Sequence, residues 1–532
     1  MTYFITNRCI LCDSCLPQCP MGAVKYEKGE YWIDPTICDS CQDHSPAPQC
    51  VVVCPVDSPI SLPPKKGRCK VAARPITNLD LFLNGKSSPF ASAMVMWELS
   101  NILAQRESLP WQVDSFGHFH YQRQINRGQG TLTFRLTDTL DPDLTTPLGD
   151  EAAKEAIASF DIRATCLNLI YAAYAVTLEC PWEQDFIISD QQIEQYLGLE
   201  KRKDLSKLEK LILIKDLVQQ PCNVLVSIQW PRQGKVAEFS LAESRLWHLI
   251  DVEYHFQEDD LGCKHLVGLT FKIRAGLWSK YFLNQQGYQN RTAFYQYGHL
   301  PKSLLIEVMS IWQQHEGAAR IMLWLLFKSR LGEDQRLTVR TLMRVAYGEE
   351  RVIQASSQRG HKRLLRTFEG DLETLNNYGL KPVFDPITYP AEIQPLWTKL
   401  AEIPDDAEAA AEFWADDGSR NQRLTDTAPR GKWNRLMNAR LLRFELPPDW
   451  VQKLPQPRRS KQRRRTHQKS SKPSLLSGSV VTSARKRLQL SQRELAHRIG
   501  KSQSWIRDIE NERFQANIED LTLLRRVLEI EH

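Results

Sequence analysis

Eight cysteines fall within the first 54 residues, and their spacing constrains this chain more than any other feature in it. They are Cys9, Cys12, Cys15 and Cys19, then Cys38, Cys41, Cys50 and Cys54. Each run of four ends in a proline, Pro20 or Pro55. The first run reads C-x2-C-x2-C-x3-C-P and the second C-x2-C-x8-C-x3-C-P. Thiolates at this density are soft ligands, suited to zinc or to iron–sulfur clusters. Zinc sites usually take four ligands as two close pairs. Here each run offers three ligands and a displaced fourth, which suits a pair of [4Fe–4S] cubes with four thiolates each. The prolines stop the chain after each fourth ligand and help it turn.

On these residues, segment 1–64 resembles the bacterial-type two-[4Fe–4S] ferredoxins, an α+β fold. In that family the fourth cysteine of each run crosses to the other cluster. The resemblance therefore implies that Cys9, Cys12, Cys15 and Cys54 hold one [4Fe–4S] cluster. Cys38, Cys41, Cys50 and Cys19 hold the second. The eight-residue spacer "QDHSPAPQ" between Cys41 and Cys50 is similar to the variant with an extended loop near the second cluster. The other cysteines, Cys69, Cys166, Cys180, Cys222 and Cys263, have no ligand spacing and read as small buried hydrophobes.

The opposite end has a different character. Residues 1–64 carry three Lys/Arg against seven Asp/Glu, whereas residues 451–532 carry 19 against eight. An acidic head and a basic tail imply different partners, and the tail should seek a polyanion. Within it, 457–474 holds eight Lys/Arg, no acid and no core-forming residue. It reads as a disordered tether, or as a phosphate-binding arm adding salt-dependent affinity.

From 475 to 532 the periodicity is helical and well punctuated. Val481, Ala484 and Leu488 suit the buried face of a first helix. Ser491 with Glu494 three residues on forms a capping box, and Leu495, Ala496 and Ile499 give the apolar face of a second helix. Gly500 marks a tight turn, and Ser502 caps a third helix with Trp505, Ile506 and Ile509 inward. Gln503, Ser504 and Arg507 then point outward. This all-α tail resembles the phage-repressor-like (Xre, Cro/C1 type) helix-turn-helix. The signature residues are Leu490-Ser491-Gln492, Ala496, Gly500 and Gln503-Ser504 with Ile506 behind. The resemblance implies that Gln492 braces a phosphate and that Gln503 and Ser504 read bases. Glutamine favours adenine, and Arg507 suits guanine or phosphate. With Lys501 and Ser502 these residues make the candidate DNA-binding set.

The length, 532 residues, implies three or four domains at roughly 150 residues each. The middle is α+β to mainly α. In 65–300, a cadence of helix, helix–turn, helix and strand runs over about 164–240. It returns in 301–400, followed by an acidic boundary segment at 401–456. Helix, helix–turn, helix, strand is the order of a winged helix, and two such units would resemble plasmid replication initiators in arrangement. The other reading is a generic α+β regulatory or dimerisation domain. In the winged reading, Lys362, Arg363 and Arg366 become phosphate contacts. The middle carries no G-x-x-x-x-G-K-[ST] or G-x-G-x-x-G motif, so the expectation is not an enzyme.

The start lacks a basic region followed by an apolar stretch, and "RIMLWLLF" at 320–327 is too short to span a bilayer. The expectation is a cytoplasmic protein with no membrane association. A ferredoxin head joined to a helix-turn-helix tail, at this length and in this order, resembles the cyanobacterial PatB/CnfR regulators. That resemblance implies an activator of nitrogenase (nif) genes at low oxygen, with [4Fe–4S] clusters sensing oxygen or redox state. The expected partners are double-stranded promoter DNA, RNA polymerase, an electron-transfer protein docking on the acidic head, and a second copy in a homodimer. The rival readings are an electron carrier tethered to DNA by its tail and an iron–sulfur nucleic-acid enzyme not driven by ATP.

Overall fold

The computed structural model describes residues 2–27, 29–42, 44–62, 76–139, 146–259, 263–328, 337–357, 360–401, 403–404, 406–419, 431–450, 477–511, 513, 516 and 518–530. Two compact units result, Met1–Lys453 and Leu454–His532. The basic segment 457–474 and Cys69 lie outside the described residues, as does most of the linker expected at 61–68.

In the first unit, the head closes on itself. β1 (Thr2–Ile5) pairs antiparallel with β4 (Pro59–Leu62), which brings Thr2 opposite Leu62. Between them, β2 (Val24–Glu27) and β3 (Glu30–Ile33) form a hairpin, and α1 (Gln49–Val52) is a single turn. Ile5, Ala23, Val24, Tyr31, Ile33 and Cys50 make a small core of their own.

The rest of this unit shares one continuous core running from Leu81 to Trp450. β5 (Ser87–Ala91) leads into α2 (Met94–Gln105) and pairs with the later strand β14 (Tyr297–Pro301). β6 (Gln112–Val113), β7 (Phe119–Ile125) and β8 (Gly130–Leu136) begin a five-stranded antiparallel sheet. β10 (Val224–Trp230) and β11 (Phe239–Arg245) complete it in the order β11-β10-β8-β7-β6. β8 alternates buried and half-buried residues, as a strand with one covered face must.

α3 (Asp150–Ser159) precedes α4 (Ile162–Thr177), whose sequence is apolar on nearly all sides. A helix of that kind must be central, and almost every α4 residue is buried. After α4 come β9 (Asp185–Ser189), α5 (Asp190–Leu197) and α6 (Lys207–Gln219). Ser189 and Ser206 cap α5 and α6 with reciprocal capping boxes, and Gly198 ends α5 in the left-handed region at φ 67°. β12 (Trp247–Glu258) and β13 (Lys264–Ala275) then form a long hairpin that joins β9 in the order β12-β13-β9. α7 (Trp278–Phe282), α8 (Gln285–Gln289) and α9 (Lys302–Ile311) connect onward.

A second three-stranded sheet with its own helices follows. α10 (Glu316–Lys328), β15 (Leu337–Thr338), α11 (Val339–Tyr347), α12 (Glu349–Ser357) and α13 (His361–Asn377) lead to β16 (Lys381–Phe384). α14 (Leu396–Leu400), α15 (Ala407–Ser419) and α16 (Lys432–Met437) precede β17 (Arg440–Glu445), which lies between β15 and β16.

Three expectations change here. The head and both middle regions form one compact unit: the middle core is continuous across the boundary expected at 300, and the head, with its own small core, packs against it. The strand at 224–230 leaves the 164–240 segment for the five-stranded sheet, and the hairpin through Ala275 takes its place. Residues 401–456 are not a boundary, since β17 buries Leu441 and Phe444 at the centre of a sheet. The acidic composition of 403–419 conceals that later strand, which is short and carries few turn signals.

In the second unit, α17 (Gly478–Arg487), α18 (Gln492–Ile499), α19 (Gln503–Glu510) and α20 (Ile518–Leu528) surround Val481, Leu495, Ile506, Leu524 and Leu528. Gly478 is required where α17 meets α19, because a Cβ there would stand 2.4 Å from the Glu510 carbonyl oxygen. Among the described residues, no helix is long and apolar enough to cross a membrane.

Candidate cluster pocket and DNA-reading helix

The loop from Cys9 to Cys19 has no regular secondary structure, and its backbone bends sharply. Leu11 and Asp13 adopt positive φ (57° and 61°), as do Ser40 and Cys41 (63° and 58°) in the second run. Non-glycine residues rarely occupy this region. Alternation of left- and right-handed residues turns successive amide groups inward and forms the concavities that surround anionic groups.

Cys9, Cys12, Cys15 and Cys54 line one pocket together with Ile5, Ile10, Tyr31 and Pro59. Cys54, distant in sequence, is brought there because α1 and β4 fold the second run back over the first. Cys38, Cys41 and Cys19, and Cys15 of the first pocket, are all close enough to Cys50 to perturb its ionisation. The structure thus brings Cys54 of the second run beside Cys9, Cys12 and Cys15, and Cys19 of the first run near Cys38 and Cys50. Cys41 and Cys50 are buried, while Cys12 is exposed.

Backbone amides also address the sulfurs: Ala23 N donates to Cys19 Sγ at 3.2 Å and Ser58 N to Cys54 Sγ at 3.3 Å. Burial pushes the Cys50 thiol up to about 12, with the neighbouring cysteines adding to the effect. Cys15 and Cys38 are raised for the same first reason. Ser14 hydrogen bonding holds Cys12 below the usual thiol value. Crowded, half-buried thiols do not ionise together unaided, and an iron–sulfur core held by them would supply the compensating positive charge. Among the described residues, no three His, Cys, Asp or Glu converge on a point that a single metal ion would fill. What fits a cluster is the donor chemistry of the pocket, which gathers four thiols on one cavity.

In the second unit, the Ser491 side chain accepts from Glu494 N while the Glu494 carboxylate accepts from Ser491 N. Gly500 turns the chain at φ 70°, and Ser502 caps α19 by accepting from Trp505 N. Ile506 and Ile509 point into the core, which leaves Lys501, Ser502, Gln503, Ser504 and Arg507 exposed. Gln503 Oε1 accepts from Arg493 Nε at 3.0 Å, and the Ser502 and Ser504 hydroxyls stand 2.9 Å apart. Lys501 pairs with Asp520 at 3.0 Å. Gln492 is half-buried and donates its side-chain amide to Glu510 Oε2 at 2.7 Å. The helix N-terminus and its polar side chains form one outward face, which is what groove reading requires. Arg493 joins this face through Gln503, and the sequence reading did not single it out.

In the first unit, Lys362, Arg363 and Arg366 lie exposed along α13, opposite buried Leu364 and Phe368.

Thiol pockets at one end of a chain and an outward-facing recognition helix at the other point to an iron–sulfur regulator of transcription. Through its N-terminal region, the chain belongs to the ferredoxin family. Over 65 residues it is 40% identical to an uncharacterized ferredoxin-like protein of Haemophilus influenzae, covering 12% of this chain and 76% of that protein. Ferredoxin-2 of Chlorobaculum tepidum is 40% identical over 57 residues, 11% of this chain and 92% of its own length. A ferredoxin-like protein in nif region of Trichormus variabilis is 47% identical over 58 residues. That match is 10% of this chain and spans about half (49%) of the relative. At the other end, residues 482–532 match the helix-turn-helix family.

Proposed function

We propose that this protein activates transcription of nitrogenase (nif) genes when oxygen is scarce, through two [4Fe–4S] clusters in the head and promoter binding by α19. The observation that carries the reading is one chain holding both the Cys9, Cys12, Cys15 and Cys54 pocket and an exposed Gln503-Ser504 pair at the start of a recognition helix. The name of the Trichormus relative, a ferredoxin-like protein in nif region, supports the choice of target genes. When bound, the clusters supply a centre that oxygen oxidises and dismantles, a weakness that nitrogenase shares. The chain's own residues hold that centre, shield it partly from water and present the DNA-reading face.

Two finer assignments belong to this proposal. The order α4, β9, α5, α6 and the β12–β13 hairpin is that of a winged helix, with the last strand central in the sheet. α10, β15, α11, α13, β16 and β17 repeat it. In the second winged unit, Lys362, Arg363 and Arg366 supply phosphate contacts. The protein acts as a cytoplasmic homodimer on paired half-sites, without enzymatic activity, and contacts RNA polymerase. The acidic head accepts electrons from a redox partner.

The test is anaerobic purification followed by quantitative footprinting on nif promoters before and after brief exposure to air, with iron content recorded. Protection that falls together with iron supports the proposal. Protection that persists after the iron is lost separates the clusters from DNA binding and moves their action to polymerase recruitment. Absence of protection in both states overturns the reading in favour of a tethered electron carrier.

A further inference from the structure

The head does not merely precede the middle region; it covers one face of it. Trp32 on β3 packs its ring 4.9 Å from Tyr254 and 4.8 Å from Phe256, both on β12. Phe4 on β1 lies 4.7 Å from His265 on β13, and Glu30 pairs with Lys264. Lys215, near the end of α6, is 9% exposed and reaches into the head. Helix and hairpin are the two elements that a winged helix presents to DNA, and in the first unit both carry the head.

Their charges agree with that occupancy. A DNA-facing helix needs free cations. On α6, Lys207 is held by Asp190 and Glu194 at 2.7 and 2.5 Å, while Lys210 and Lys215 are buried. β12 turns Asp251, Glu253 and Glu258 to solvent, and these would repel phosphate.

At the centre of the contact is Asp34, with no exposed surface. Its Oδ1 accepts from Thr36 N at 2.9 Å and Thr36 Oγ1 at 2.6 Å, and its carbonyl accepts from Ile37 N and Cys38 N. These bonds shape the turn that ends at Cys38. Its other oxygen, Oδ2, accepts from Lys215 Nζ at 3.1 Å and Tyr254 Oη at 3.2 Å. One carboxylate therefore holds the cysteine loop with one oxygen, and α6 and the hairpin with the other. A buried ion pair that loses one partner is strongly destabilised.

We infer that α6 and the β12–β13 hairpin are a docking face for the cluster-bearing head in place of a nucleic-acid surface, and that Asp34 ties this docking to the order of the Cys38 loop. The inference rests on the reading of residues 1–62 as a cluster-binding head. Loss of the group held by Cys38 frees the turn, withdraws Asp34 and loosens the head from α6.

Hydrogen exchange of the full chain, read by mass spectrometry, tests this. The samples are anaerobic iron-loaded protein, the same protein after chelation of its iron, and loaded Asp34→Asn and Lys215→Met variants. Iron removal should speed exchange in 207–219 and 247–275 by about tenfold or more, while the β8 and β10 amides stay as they were. Both variants should show the same rise with iron retained. Should Asp34→Asn fail to load iron, Lys215→Met, which changes no residue of the cysteine loop and removes only the Lys215 Nζ bonds to Asp34 Oδ2 and Thr36 Oγ1, carries the test alone. Unchanged exchange at 207–219 after the iron has gone, or in loaded Lys215→Met, overturns the inference. Footprints on the same samples separate the two proposals. Iron-dependent protection without a change at α6 removes the docking latch only, and a change at α6 in a protein that never protects DNA removes the regulator reading only.

Discussion

Arg485 of α17 grips Glu510 of α19 through two bonds, Nε to Oε1 at 2.6 Å and a second guanidinium nitrogen to Oε2 at 3.2 Å. The same carboxylate accepts from Gln492. One buried acid thus joins the first, second and third helices of the DNA-reading unit. Arg485→Ala should cost this unit about 3 kcal/mol, because it strands the Glu510 charge. Calorimetric melting of the full chain measures it, and an unshifted transition for residues 477–530 refutes the assignment.

The pair also sets a pH dependence. Burial alone would raise the Glu510 carboxyl, but bonds from Arg485 and Gln492 outweigh it and hold the group below the ordinary glutamate value. A carboxyl lowered in the folded state contributes stability that is complete above the unfolded value, about 4.3. That stability is lost as pH falls through the lower folded value. The helix-turn-helix unit should therefore begin to weaken below about pH 4, and a Glu510→Gln variant should show a flatter pH profile.

DNA reading and DNA holding should separate by mutation. Gln503→Ala should relax base preference at one position of each half-site, costing about 1–3 kcal/mol on the preferred sequence. Replacing Lys362, Arg363 and Arg366 with alanine should leave preference intact and lower the salt dependence of binding, by a slope of roughly 2 to 3. Titrations at several salt concentrations distinguish the two. An unchanged slope in the triple variant removes α13 from the DNA contact.

Cluster occupancy gives a fourth test. Cys15→Ser and Cys54→Ser should each lose about half the iron and share one residual spectrum, since both belong to one crossed set. Cys19→Ser and Cys41→Ser should share the other. Matching spectra for Cys15→Ser and Cys19→Ser would mean that the runs do not cross.

Both ends of the molecule were legible because their chemistry is local. The cysteine runs mark the thiol-rich segment, and Ser491, Glu494 and Gly500 state where α18 starts and stops. The capping residues of α5 and α6 were equally readable, as Ser189 and Gly198 show. What escaped were the non-local pairings. Nothing near 224–230 says that this strand will seek β8 rather than the neighbouring hairpin, since both faces of the choice are apolar. β17 pairs with β16 across more than fifty residues, with no turn between them to announce it. Asp34 carries a visible Asp-Pro-Thr turn, but its second role depends on Lys215 and Tyr254, far along the chain.

The pairing of Thr2 with Leu62 places the start of the chain beside the exit of the head. Among the described residues, every hold of the head upon the rest of the unit is non-covalent. Such a part can be exchanged. A peptide of residues 1–62 and a truncated chain beginning at residue 76 retain between them all the contacts of Asp34, Trp32 and Phe4 described above. The head and the face it covers meet through those contacts, so two separately made pieces should reassemble, with one head substituted for another.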